Sequence, residues 1–330
     1  MPRRSWRRSC DGPRNRGKGL GPEARRDRNL PGDRGVRGVQ LSGIALAIVL
    51  ASAFLHAGWN FLLKKSDRKI VFIWWFELVG AVIFIPMLLY FLPDVSIPLK
   101  GWFCIIASAV IHAAYFICMG SAYQRGDLSL VYPLARGSGP LFVPLLAVLL
   151  LGEEVALLGG IGIFFIVCGI HCIHLRSFSG AAFWEPFSAL KGGASLWALF
   201  TGLAIAAYTL VDKVGVGQVS PPVYIYIMML ITWVLLTPWV LIREKGGLMS
   251  EWRRHKGSIM AVGFLSGFTY LMILFALTIS KVSYVAAVRE VSIVLSAYCG
   301  IAYLGEKHGR QKLVGAVLIC LGVIAIGLSR

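Results

Sequence analysis

The chain has 330 residues, of which 57% are hydrophobic and only 15% charged, and its mean hydropathy is +0.72. A soluble domain needs more charge than this to keep its surface wet, so the composition selects a membrane protein. A net charge of +17 and a pI near 9.9 do not make it a nucleic-acid binder, because twelve of the 33 basic residues fall in the first forty positions and most others sit in short gaps between apolar runs.

The first 41 residues are rich in Arg, Gly and Pro and nearly devoid of large apolar side chains, so they cannot form a core. They are also too long and too Arg-dense for the n-region of a signal peptide. Since no Met occurs between Met1 and Met87, residues 1–41 are expected to be a disordered basic tail or a start-site artefact, with translation beginning near Val36 or Val39. Beyond them, ten apolar stretches are long enough, at about twenty residues, to cross the roughly 30 Å of bilayer hydrocarbon. They run 42–63, 71–92, 101–123, 128–151, 157–174, 193–212, 221–242, 258–280, 284–304 and 311–329. Their connections are short and charged or turn-rich, except 175–192, where Trp184, Pro186 and Phe187 suggest an interfacial linker.

Sliding the chain on itself reveals an internal repeat. A shift of about 153 residues places Leu151-Gly152-Glu153 on Leu304-Gly305-Glu306, Gly162 on Gly315 and Gly169 on Gly322; nearby shifts pair Trp59 with Tyr208 and Lys64 with Lys213. Five helices per repeat require the second copy to enter from the opposite side. Loop charges agree. Lys64, Lys65, Arg68 and Lys69 follow the first stretch against Lys213 alone after the sixth, and Lys100 follows the second against Arg243, Lys245, Arg253, Arg254 and Lys256 after the seventh. No basic residue follows the fourth, whereas Lys307, Arg310 and Lys312 follow the ninth. The expected fold is therefore an all-α integral membrane protein of ten transmembrane helices in two inverted five-helix repeats, 42–174 and 193–328. Short-loop charges put the odd-numbered loops in the cytoplasm; the basic tail argues the reverse.

The residues that carry this repeat resemble the drug/metabolite transporter superfamily, in its EamA-type branch of ten-helix proteins. The resemblance covers roughly 42–328 and rests on Pro140-Leu-Phe-Val-Pro144 leading to Leu151-Gly152-Glu153, then Gly162 and Gly169, with Leu304-Gly305-Glu306, Gly315 and Gly322 in the second half. It implies a secondary transporter, often an exporter of amino acids, metabolites or drugs, with a central cavity between the halves. The chain departs from its own repeat at 288–292, where nothing answers Gly137, Gly139 and Pro140.

Polar side chains inside apolar spans are expensive unless paired or hydrated, which makes each a candidate for substrate binding. Arg136 precedes Gly137-Ser138-Gly139-Pro140, where freed carbonyls and a guanidinium suit an anionic group; the plainer reading is a packing kink with a snorkelling Arg. Arg289 and Glu290 lie about 100° apart around one helix, so one can line a cavity while the other pairs across helices, or the two form an edge ion pair. His56, Trp59 and Asn60 share a face, and Tyr208 answers Trp59 in the second repeat. Glu77 is an isolated acid and a candidate proton carrier.

Other polar residues read as structural. His112 is expected to be a satisfied buried imidazole, Glu153 and Glu306 to face water, and Gly159, Gly162, Gly263 and Gly267 to allow close helix packing. The seven cysteines imply no disulfide framework, and Cys168, His171, Cys172 and His174 lack partners for a metal. Neither metal nor cofactor is expected.

The absence of a Walker motif, of His-Glu-x-x-His and of Gly-x-Ser-x-Gly argues against an ATP-driven pump and a membrane-embedded enzyme. The sequence thus points to a multi-pass protein of the plasma or inner membrane that exports a small metabolite, amino acid or drug-like solute by alternating access. Its partners would be that solute and lipid, with proton coupling through Glu77, His56 or Glu290 and no nucleic acid. A channel or sensor is the alternative.

Overall fold

The computed structural model describes residues 42–94, 96–125, 128–175, 193–244, 246–295 and 310–329, with isolated positions at 177, 179, 180, 184 and 298; within these, the side chains at 64, 94, 123–125, 128–134, 136, 174 and 194 fall outside the description. Helix α1, Gly43–Lys64, starts at Ser42, whose Oγ accepts the Ala45 N–H at 3.1 Å and so satisfies one of the unpaired donors of the first turn. Helices α2, Lys69–Ile83, and α3, Ile85–Phe91, meet at a bend of 45°. Pro86 sits at the second position of α3, where a missing N–H costs nothing, so the chain bends there instead of deeper in the span. Then come α4 (Leu99–Arg125), α5 (Leu128–Leu151), α6 (Leu157–His174), α7 (Gly193–Gly215), α8 (Pro221–Arg243), α9 (Leu248–Ile279), α10 (Val282–Arg289) and α11 (Arg310–Leu328).

Among the described residues there is no strand. Six helices are long and apolar enough to cross a membrane, seven if α2 and α3 count as one span, and the apolar helices Gly137–Leu151 and Leu157–Ile173 are shorter. The expected stretch 284–304 differs most from observation. Its helix breaks at Glu290 after eight residues, resumes over 291–295, and the remainder, with Leu304-Gly305-Glu306, lies outside the described residues. α5 stays helical through Gly137–Pro140, where Pro140, without an N–H, leaves the Arg136 carbonyl lacking its intrahelical donor.

Leu141, Leu145, Leu149, Phe103, Val317 and Ile324 are among many large apolar side chains turned outward. Such a surface is tolerable in lipid and an aggregation hazard in water. At one edge of the bundle Trp74, Trp75, Trp233 and Trp252 cluster, with ring centroids 4.6–5.6 Å apart along the chain of contacts, and Arg243 lies 4.6 Å over Trp239. Trp74 is buried and the other three of the cluster are partly buried against the same core, so these rings pack helices together.

The closest backbone approach joins α6 to α11. A Cβ on Gly162 would meet the Gly322 carbonyl oxygen at 2.6 Å, and a Cβ on Gly315 would meet the Gly169 carbonyl oxygen at 2.5 Å. Only glycine permits this, and the start of each helix lies against the end of the other, so the two run antiparallel. The contact also maps onto itself when each residue is exchanged for its repeat equivalent. Other helix pairs do the same, since α4 packs on α7 as α9 packs on α1.

Candidate functional site

The Leu-Gly-Glu motif of the first half explains how α10 is held. Gly152 has φ 65°, a left-handed conformation that glycine adopts without strain, and the turn it makes sends Glu153 inward. Glu153 is 3% exposed, and its carboxylate accepts the Val282 N–H at 2.6 Å, the Ser283 N–H at 3.1 Å and the Ser283 hydroxyl at 2.6 Å. The expectation that Glu153 faces water is therefore wrong: an acid at a helix N-terminus meets the positive end of the dipole and its unpaired N–H groups. Lys281 Nζ donates to the Glu154 carbonyl at 2.5 Å and the Ala156 N–H donates to Tyr284 Oη at 3.2 Å, so the whole first turn of α10 is tied to the α5–α6 connection.

Seven residues further along, α10 delivers Arg289 to a cavity of about 70 Å³ between α1, α2, α4, α7, α8 and α9. Of the sequence candidates, His56, Trp59, Glu77, Tyr208 and Arg289 line it. Asn60 does not, because its amide donates to the His56 carbonyl of its own helix at 2.7 Å. Glu290 is buried beside the break that ends α10 but is not part of the lining. The Arg136 side chain lies outside the described residues.

The walls are mainly aromatic and soft. The His56 and Trp59 rings meet edge to face at 4.7 Å, Phe76 and Phe116 adjoin them, and Met228 and Met229 supply adaptable surface. His112 stacks on Tyr208 at 4.0 Å, and its Nδ1 lies 2.9 Å from the Ser108 carbonyl oxygen, the satisfied imidazole expected for it. Three polar atoms on residues that line this space stand out. Trp59 Nε1, Glu77 Oε2 and Thr269 Oγ1 are buried and have no hydrogen-bond partner, although all three residues line the cavity. Orphaned buried groups are costly, and a site that binds polar solutes is where that cost has a use.

Sequence reasoning missed Asp212 and Tyr270. Asp212, fully buried, accepts the Tyr224 hydroxyl at 2.7 Å on one oxygen and the Tyr270 hydroxyl on the other. Tyr270 lines the cavity with its ring 5.5 Å from His112 and 5.9 Å below the Arg289 guanidinium, so this phenol meets Asp212 at its hydroxyl and Arg289 over its face. Asp212 falls four residues after Tyr208, on the same helix face, and that spacing was the available signal. The neighbouring Lys213 instead closes the end of α9, donating to the carbonyls of Leu277 at 2.6 Å and Ser280 at 2.8 Å.

An apolar-surfaced helical bundle with a mainly aromatic cavity that also carries Glu77 and Arg289 suits a multi-pass membrane transport protein. A family model describing EamA-like transporters matches residues 41–175 and again 193–328. The chain belongs to that family, within the drug/metabolite transporter superfamily, whose members are transporters and not enzymes. A crystal structure described only as that of a protein is similar in fold at a TM-score of 0.65 and 15% identity, covering 86% of this chain and 94% of that one. No curated protein matches the chain.

Proposed function

We propose that this protein is a secondary transporter that exports a small polar or amphipathic solute by alternating access, with the cavity around Trp59, Glu77, Tyr208, Thr269, Tyr270 and Arg289 as its binding site. The observation that carries the reading is the set of buried, unpartnered polar atoms on Trp59, Glu77 and Thr269, three residues that line one aromatic cavity. A carboxyl and a guanidinium in the same lining suit a solute bearing charge or strong dipoles, and the aromatic walls suit an apolar remainder. At about 70 Å³ the cavity is smaller than the roughly 150 Å³ that holds a benzene ring, so this is a narrow conformer that must widen to load.

Ten spans in two inverted repeats, 42–174 and 193–328, remain our reading of the topology. The reciprocal antiparallel packing of Gly162 on Gly322 and Gly315 on Gly169 supports it, since exchange of the two halves leaves the contact unchanged. Glu77 is the candidate proton carrier. Flux of a panel of labelled amino acids and cationic dyes in proteoliposomes tests the function. Saturable flux with counterflow is expected, and Glu77→Gln is expected to remove the response to an imposed pH gradient while sparing counterflow. Non-saturating flux without counterflow favours a channel.

A further inference from the structure

Outside the cavity, the α1–α2 connection and the first turns of α9 bring three ligating side chains together. Asp67 comes from the connection; Glu251 and His255 stand one turn apart on α9. His255 Nε2 lies 3.6 Å from Asp67 Oδ2 and 3.8 Å from Glu251 Oε1, and one ligand atom from each of the three is within 4.8 Å of the others. These separations are too long for hydrogen bonds, yet close to the edge of about 3.4 Å in a tetrahedron with ligands about 2.1 Å from its centre.

A second observation is independent of that clustering. Glu251 is 2% exposed, and neither its Oε1 nor His255 Nε2 has a hydrogen-bond partner, although the two face each other. The other Glu251 oxygen accepts the Arg68 N–H at 3.3 Å, which fixes the carboxylate plane. His255 leaves helical geometry, with φ −120° and ψ 15°, and its ring meets Phe72 at 6.4 Å. The Asp67 side chain is 53% exposed, so the cluster opens to water, and the Arg254 guanidinium is hydrogen-bonded to it.

We propose that Asp67, Glu251 and His255 form a divalent-metal site of zinc type that bridges the α1–α2 connection to α9. One imidazole with two carboxylates suits Zn²⁺ with water in an open position, whereas Mg²⁺ and Ca²⁺ prefer all-oxygen shells. Arg254 occupies the same Asp67 Oδ2 whose separation from His255 fits the tetrahedron, so metal binding displaces that contact.

The test is a Zn²⁺ titration of the purified full chain in detergent by calorimetry, with the thermal-unfolding midpoint followed in parallel. One Zn²⁺ per chain is expected to bind and raise the midpoint, Mg²⁺ at the same concentration to leave it unchanged, and Asp67→Asn and His255→Gln each to weaken binding about tenfold or more. The Asp67 side chain is 53% and that of His255 16% exposed, against 2% for Glu251, so these two variants endanger folding less than Glu251→Gln, and a thermal-unfolding midpoint like that of wild type without metal checks that each is folded. Cys168→Ser with Cys172→Ser controls for the thiols and is expected to bind normally. Wild-type protein that binds no Zn²⁺ at micromolar concentration, unchanged affinity in Asp67→Asn and His255→Gln, or binding lost with the thiols overturns the proposal.

Discussion

Glu153→Ala removes the acceptor for three donors at the start of α10, two of them backbone N–H groups of a helix terminus with no intrahelical partner. A hydrogen bond to a charged group contributes about 1.5–3 kcal/mol, and each buried donor left without a partner costs about 1–3 kcal/mol. Because the three bonds share one acceptor, their losses are not additive, and a total of about 2–4 kcal/mol is expected. Ser283→Ala removes only the hydroxyl bond and should cost about 1.5–3 kcal/mol, toward the lower end because the carboxylate keeps two other donors. The double variant should fall short of the sum, since without Glu153 the Ser283 hydroxyl has already lost its acceptor. Denaturant unfolding in mixed micelles measures all three, and flux measures the consequence, because α10 carries Arg289 into the cavity. A Glu153→Ala protein within about 0.5 kcal/mol of wild type, the result for a solvated surface acid, refutes the clamp.

Other outcomes follow from the same geometry. Gly162→Val forces a side chain onto the Gly322 carbonyl, with an expected loss of about 1–3 kcal/mol or more, whereas Gly58→Ala, with nothing within 4 Å, should be neutral or stabilising by up to about 1 kcal/mol in the same unfolding assay. Tyr224→Phe deletes a buried bond to Asp212 and should cost about 1.5–3 kcal/mol. Trp59→Ala should abolish saturable flux while Asn60→Ala, whose amide serves only its own helix in the structure described, leaves KM within about twofold; equal effects of the two contradict the assignment of the lining.

Hydropathy made most of the helices legible, because a span must satisfy every backbone group internally and shows as an uninterrupted apolar run. The bend at Phe84 was less visible, as a proline early in a helix can either start it or kink it. What periodicity could not show was partnership. Glu153 looks exposed by position, directly after a helix, and only the arrival of Val282 and Ser283 from the other half makes it buried. Asp212 stands at the end of the expected stretch 193–212, next to Lys213, and nothing in that position reveals the two tyrosines from α8 and α9 that enclose it. His56, Trp59 and Glu77 were chosen for polarity in apolar surroundings, and that criterion works where a single side chain must be accommodated. It fails for Asn60, whose amide finds a carbonyl within its own helix.

Alternating access to the cavity is most directly tested at Ser266, which lines it and is partly exposed. With the seven native cysteines replaced by serine, Ser266→Cys in oriented proteoliposomes is treated with a membrane-impermeant thiol reagent from one side and, in a parallel sample, from the other. The account predicts modification from both sides, with reaction from each side reduced when the conformer open to the opposite face is favoured. Modification from one side alone, under every condition that supports flux, contradicts it.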